Sequence, residues 1–388
     1  MLLAAAAGLA IELPTGAEMH VRLKTKIASD TSRAKDPVEA VVIAPVVAGG
    51  EFAVPAGAIV RGVVTEALPV TDPNKRAVIG LAFQEMETGG KKLKMSATIT
   101  KVDNARESVA EGGRIAGILP SETLTARMDA GIGMVGQRFA ALASVLGAAK
   151  GAFFKETQPE IVYEPGVEFT IMLTAPLEVP AASPPALDPV TGEEDLIEIA
   201  VKQPFQTVAQ NPPKPSDITN LMYIGTEEQV RKAFAEAGWS GAAALSGQSK
   251  LETFRAIVEE RGYKEAPVSI LLLDGRPPDL VFQKMNNTFA MRHHLRIWRR
   301  PVTFQGKPVW VCAATHDTGI EFSEKNRTFI HKIDSQIDRE RAKVVNDLML
   351  TGMVKSLALV ERPEVPQHSA NATGDEIETD AQIAVVIF

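Results

Sequence analysis

Proline is concentrated between Pro176 and Ser216, at Pro180, Pro184, Pro185, Pro189, Pro212, Pro213 and Pro215. A proline has no backbone N–H and a fixed φ, so such a stretch favours extended, semi-rigid chain over the interior of a sheet or helix. It divides the 388 residues into two parts, each long enough to bury a core of its own. The expected organisation is a signal-peptide remnant over 1–10, a β-barrel-like domain over 11–180, a linker over 181–216 and an α+β domain over 217–388. A Gly/Ala-rich insert occupies 111–155, and Leu196–Val201 is apolar enough to add one strand inside the linker.

An aromatic content of 5% suits two modest cores better than one large one. The net charge of −7 argues against a general nucleic-acid-binding protein, which needs a broad excess of Lys and Arg. The single Cys312 rules out an intramolecular disulfide framework, and its apolar neighbours make it a small buried hydrophobe. Met1–Ala10 resembles the end of a secretory signal, with small residues at Gly8 and Ala10, so an exported protein of the periplasm or cell envelope is expected. No run reaches the ~20 apolar residues that a spanning helix needs, and peripheral membrane association is left open.

From Ile11 to Lys101 the pattern is that of short strands. Met19–Lys24 alternates apolar and polar residues as a half-buried strand should. Strands are expected at 39–47, 58–66, 78–86 and 93–100, and a further pair at 161–163 and 168–173. That count and spacing predict a small all-β barrel or sandwich. The words Leu13-Pro14-Thr15-Gly16, Ile27-Ala28-Ser29-Asp30 and Val54-Pro55-Ala56-Gly57-Ala58-Ile59-Val60-Arg61-Gly62 occur here in that order. They resemble the barrel domain of TrbI-type conjugation-channel proteins, over roughly 55 residues, and the resemblance implies an envelope barrel and not an enzyme.

Within the insert, Gly131-Ile132-Gly133-Met134-Val135-Gly136 is formally a G-x-G-x-x-G. A dinucleotide fingerprint needs a buried strand before it, and Thr125–Ala130 is too polar for one. A packed or amphipathic helix is expected instead, and no cofactor. In the second domain, Thr226-Glu227-Glu228-Gln229 is a helix-capping pattern, a helix is expected over 249–261, and apolar Val268–Leu273 reads as a central strand. Strand pairs without regular crossovers predict an α+β mixed sheet with helices.

This second domain resembles the LssY C-terminal domain family. The matching words include Gly225-Thr226-Glu227-Glu228, Ala237-Gly238-Trp239, Gly275-Arg276-Pro277-Pro278-Asp279-Leu280, Arg292-His293-His294-Leu295-Arg296-Ile297-Trp298, Ala314-Thr315-His316-Asp317, His331-Lys332-Ile333-Asp334 and Thr379-Asp380. The resemblance spans about 170 residues and implies no settled activity. It does imply an association with secretion.

Four of the six histidines lie between Arg292 and Asp338. Alternation places Arg292, His294, Arg296 and Trp298 on one strand face, opposite His293, Leu295 and Ile297. Centred on Gly306, the hairpin would set Arg296 against His316; with a two-residue loop His294 would face Asp317. Pro301 leaves room for a bulge. Three readings compete: polar groups satisfied by neighbouring carboxylates; an anion site built from Arg292, Arg296 and Arg276; and hydrolytic chemistry using His294, His316, Asp317 and His331. No metal-ligand spacing or named catalytic motif is present. A partly exposed cleft holding these residues is expected, with Asp334 capping the helix that follows and Asp338 in its first turn. The function expected is an envelope- or secretion-associated binding protein whose partner is an anionic small molecule or an envelope protein. The alternative is a hydrolase acting on a phosphate-bearing substrate.

Overall fold

The computed structural model describes residues 10–137, 144, 146, 158–210, 213–241, 271–284, 291–323 and 328–388. The signal-like segment up to Leu9, most of the insert beyond Gln137 and the helix expected over 249–261 lie outside these residues. The chain divides into two compact units after Pro185.

Six strands form the closed part of the eight-stranded main sheet of the first unit: β1 (Glu18–Leu23), β2 (Pro37–Val42), β3 (Ile59–Leu68), β4 (Val78–Thr88), β5 (Lys91–Val102) and, after the insert, β6 (Glu168–Leu173). Their antiparallel order is β4-β3-β2-β1-β6-β5, and β5 returns to β4, so the sheet closes into a barrel. The returning strand makes this closure by pairing with both β1 and β5. Closure removes the unpaired edges that an open sheet would expose. In β1, Met19, Val21 and Leu23 are buried while Glu18 and His20 are exposed, as the period of two requires. Each such apolar side chain contributes about 1.5–3 kcal/mol when fully buried. Gly62 sits at a register shift between β3 and β4. A Cβ there would press on the Ala82 carbonyl oxygen and come within 2.9 Å of Phe83 Cα, so only glycine allows this approach.

The Gly131–Gly136 sequence lies inside the helix α1 (Leu124–Gly136). There is no strand-to-helix turn to cradle a phosphate. A Cβ at Gly133 would meet nothing within 4 Å, so close packing does not explain that glycine among the described residues.

The segment 181–216 differs from the linker expected there. It holds a helix, α2 (Glu193–Val201), where a strand was expected, and two strands, Gln206–Gln210 and Pro213–Ile218. Leu196 and Ala200, four apart, are fully buried, and the acidic Glu193, Glu194 and Asp195 suit the helix's positive end. Pro213 and Pro215 are tolerated because their strand is at the rim of a three-stranded sheet, where the missing N–H costs no ladder bond. The described end of the apolar run 268–273, Leu271–Leu272, is the third strand of that small sheet and not a central strand of the large one. We therefore propose that the inter-unit linker is shorter than composition suggests. A non-specific protease should cut first between Ala181 and Ala186, where the chain has no regular structure. First cleavage within 193–218, or a single resistant core, would contradict this.

The second unit is an α+β mixed sheet. Its strands are β7 (Leu221–Ile224), β8 (Trp239–Gly241), β9 (Leu280–Lys284), β10 (Met291–Phe304), β11 (Lys307–Ser323), β12 (Thr328–Ile333), β13 (Ser356–Glu361) and β14 (Gln382–Ile387). The order is β8-β9-β10-β11-β7-β14-β13, with β12 also on β11. Only β7 and β14 run parallel. Both faces of this sheet are covered. One packs Leu295, Ile297, Trp310 and Cys312 against α3 (Glu227–Glu236) and α4 (Ile337–Leu350). The other packs Trp298, Val309, Val311 and Ala313 with Leu196 and Ala200 of α2. Helix α3 starts on the capping box seen in the sequence: Gln229 N donates to Thr226 Oγ1 at 3.2 Å, and Thr226 N donates to Gln229 Oε1 at 2.9 Å.

Candidate functional site

The β10–β11 hairpin turns over Gln305-Gly306, both with positive φ, in a two-residue loop. Three residues of β10, Arg300, Pro301 and Val302, then face the single Val309 of β11. Pro301 cannot donate to the ladder, and the strand bulges there. The bulge moves every later pair by two residues. Neither expected register holds: Arg292 faces Asp317, His293 faces His316, His294 faces Thr315 and Arg296 faces Ala313.

The partly exposed cleft expected for these residues is not seen among the described residues, because the covered sheet leaves most of these groups inside. Arg292, His293, His294, Arg296 and Asp317 are each at most 4% exposed. Alternation then sorts them onto two faces. On the α2 face, Arg292 Nε donates to Asp317 Oδ2 at 2.9 Å, and Arg296 Nη1 donates to Asp217 Oδ2 at 3.0 Å. His294 Nε2 lies 3.0 Å from Thr315 Oγ1, and its Nδ1 lies 3.6 Å from Asp317 Oδ2. On the α4 face, His293 and half-buried His316 stack with ring centroids 4.1 Å apart. His293 Nδ1 donates to Glu340 Oε2 at 2.7 Å, since a carboxylate only accepts.

Burial governs the electrostatics. It pushes the Asp217 carboxyl above its ordinary range, against the opposing pull of Arg296. It also lowers the Arg296 guanidinium, which Asp217 and then Asp317 oppose. A buried arginine remains charged, so Arg296 and Asp217 form an internal ion pair. Burial likewise raises the Cys312 thiol to about 12, which leaves it unreactive.

Two residues that complete the cluster were missed. Asp217 is the penultimate residue of the strand Pro213–Ile218, immediately after the segment read as linker. Glu340 lies on the buried stripe Ile337, Arg341, Val344 and Leu348 of α4, so helical periodicity marked it as an acid on a core face. Arg276, expected beside Arg292 and Arg296, is instead next to the bulge. Its carbonyl accepts from Trp298 Nε1 at 3.1 Å, while its side chain is 61% exposed and 3.7 Å from Asp279. His331 registers opposite Ile320 in β12, beyond the cluster's paired residues, and its side chain lies outside the described set.

Asp334 does not cap α4. The N-cap is Gln336, and Asp334 Oδ1 accepts from Gln336 N at 3.0 Å in a turn before the helix. Asp338, in the first turn, accepts from Thr379 Oγ1 at 2.9 Å and from Asp380 N at 2.6 Å. Arg341 completes that junction by donating to both oxygens of Asp380, at 2.8 and 2.6 Å. These contacts tie α4 to the turn before β14.

Residues 202–383 match the model of the LssY C-terminus family, so the second unit contains a domain of that family. No curated protein matches the chain. Among solved structures, the chain is similar to ComB10 of the Com Type IV secretion system of Helicobacter pylori. The identity is 13%, the match covers 44% of this chain and 91% of that one, and the TM-score is 0.24. So weak a superposition carries no argument about this chain. Among the described residues, no helix is long and apolar enough to cross a membrane.

Proposed function

We propose that this is an exported, envelope- or secretion-associated binding protein, in which the barrel is the envelope-facing part and the LssY-type unit is a non-catalytic binding module. One observation carries the reading. Arg292 and Arg296, the groups best suited to hold an anionic substrate, are buried and each already donates to a carboxylate of the same unit. A catalytic cluster must reach its substrate's leaving atom, and internal pairing of this kind serves cohesion instead. The strand words shared with TrbI-type barrels and the closed sheet support the envelope assignment. Partners of the expected chemistry are an anionic small molecule or an envelope protein.

A panel of phosphate and carboxylate esters tests the reading against the hydrolase alternative. No turnover is expected for the purified chain. Turnover that disappears in His294→Ala and His316→Ala, with circular dichroism unchanged, would overturn it.

A further inference from the structure

Two further arginines, Arg299 and Arg300, lie at the other end of β10, with Arg276 beside them. Strand β9 starts at Leu280, which pairs with Ile297, so among the described residues no strand pairs with β10 on that side from Arg299 onward. A hollow of about 250 Å³ opens there, its lining including Arg276, Arg299, Arg300 and the bulge residues Pro301 and Val302. Bulges re-aim side chains and end pairing, and they recur beside binding sites.

The three arginines differ in what restrains them. Arg300, 12% exposed, donates to Gln203 Oε1 at 2.9 Å and to Asp274 Oδ2 at 2.6 Å. Arg276 has only the loose 3.7 Å contact to Asp279. The Arg299 guanidinium is 5.9 Å from the Trp310 ring centroid and, among the described residues, has no carboxylate at ion-pair distance. Asp279 is otherwise engaged, accepting from the Arg299 main-chain N–H at 2.7 Å. Three guanidinium groups therefore border a concavity whose described lining holds no carboxylate; Asp274 and Asp279 contact Arg300 and Arg276 from outside that lining. The prolines and Val302 give part of it an apolar wall, which strengthens charge interactions at its mouth.

We propose that this hollow is an oxyanion site for a small phosphate-bearing molecule, with Arg276 and Arg299 as the principal ligands and Arg300 as the fixed charge behind them. Arginine's planar fork of donors matches phosphate oxygens in pairs. The volume is below the roughly 300–1,000 Å³ of drug-sized pockets, so the ligand is a phosphate group with few further atoms. The inference deepens the binding-module reading and rests on it, but the two fail separately. Ester turnover removes the module reading, whereas loss of the anion effect without turnover removes only this site.

The probes are inorganic phosphate and glycerol phosphate, tested on the full chain by thermal melting and by calorimetric titration, against chloride at matched ionic strength. Vesicles of an anionic phospholipid form a separate arm. Both phosphates should raise the melting temperature of the second transition in a saturable way, as ligand linkage requires. Arg276→Gln and Arg299→Gln, both at exposed positions, should fold normally and each weaken phosphate binding about tenfold. Equal stabilisation by chloride would overturn the proposal. So would unchanged affinity in both variants, or binding to vesicles with no response to either soluble phosphate.

Discussion

Asp217→Ala is expected to destabilise the C-terminal unit by about 3–5 kcal/mol, because it leaves Arg296 buried and charged without its carboxylate. Arg296 points into a layer shared with Trp298 and Ala313, where no solvent is available to replace Asp217. The reverse change, Arg296→Met, should cost less, since the Asp217 carboxyl is already pushed upward by burial and can take a proton. The double variant Asp217→Ala with Arg296→Met replaces both partners by apolar groups and should recover much of the loss. Urea unfolding of the four proteins forms a thermodynamic cycle. If Asp217→Ala cost under 1 kcal/mol, the ion pair would not be an internal element of the fold.

Gly62→Ala should destabilise the barrel unit by about 3 kcal/mol or more, above the usual range for overpacking because the obstacle is backbone. The added Cβ meets the Ala82 carbonyl and the Phe83 Cα, and neither can move without separating β3 from β4. Strand β3 is paired on both sides, with β2 and β4, and so cannot shift freely to absorb that displacement. Calorimetry should show the barrel's transition falling while the LssY-type unit's transition stays in place. A neutral Gly62→Ala would mean that the β3–β4 crossing is wider than described.

Much of this architecture was legible in the chain. Met19, Val21 and Leu23 alternate with polar neighbours, and that period alone states which side of β1 is buried. The capping box at Thr226 is equally local, since its donor and acceptor are three residues apart. Proline density misled at 193–218. It marks where the chain cannot be in the middle of a large sheet, but a rim strand and a short helix remain open to it. There the spacing of Leu196 and Ala200 was the better guide. The face assignment of the Arg292–Trp298 residues also held, because it depends only on backbone alternation.

What the chain's own pattern could not determine is whether a polar face is exposed. Arg292, His294 and Arg296 share a side of β10 by periodicity, but whether that side meets water depends on α2 and the small three-stranded sheet folding over it. Helix α2 and two of the three strands come from residues 193–218, far earlier in the chain, and no local rule supplies their position. The register was decided in the same way, by a three-residue bulge at Pro301 that shifts Asp317 from His294 to Arg292. Sequence determined the strands, their inward residues and the identity of the charged groups, because these follow from side-chain chemistry and a period of two. Tertiary structure decided which charges neutralise one another and which, at Arg276 and Arg299, remain available at the surface. Pairing across a sheet is a property of two distant segments at once.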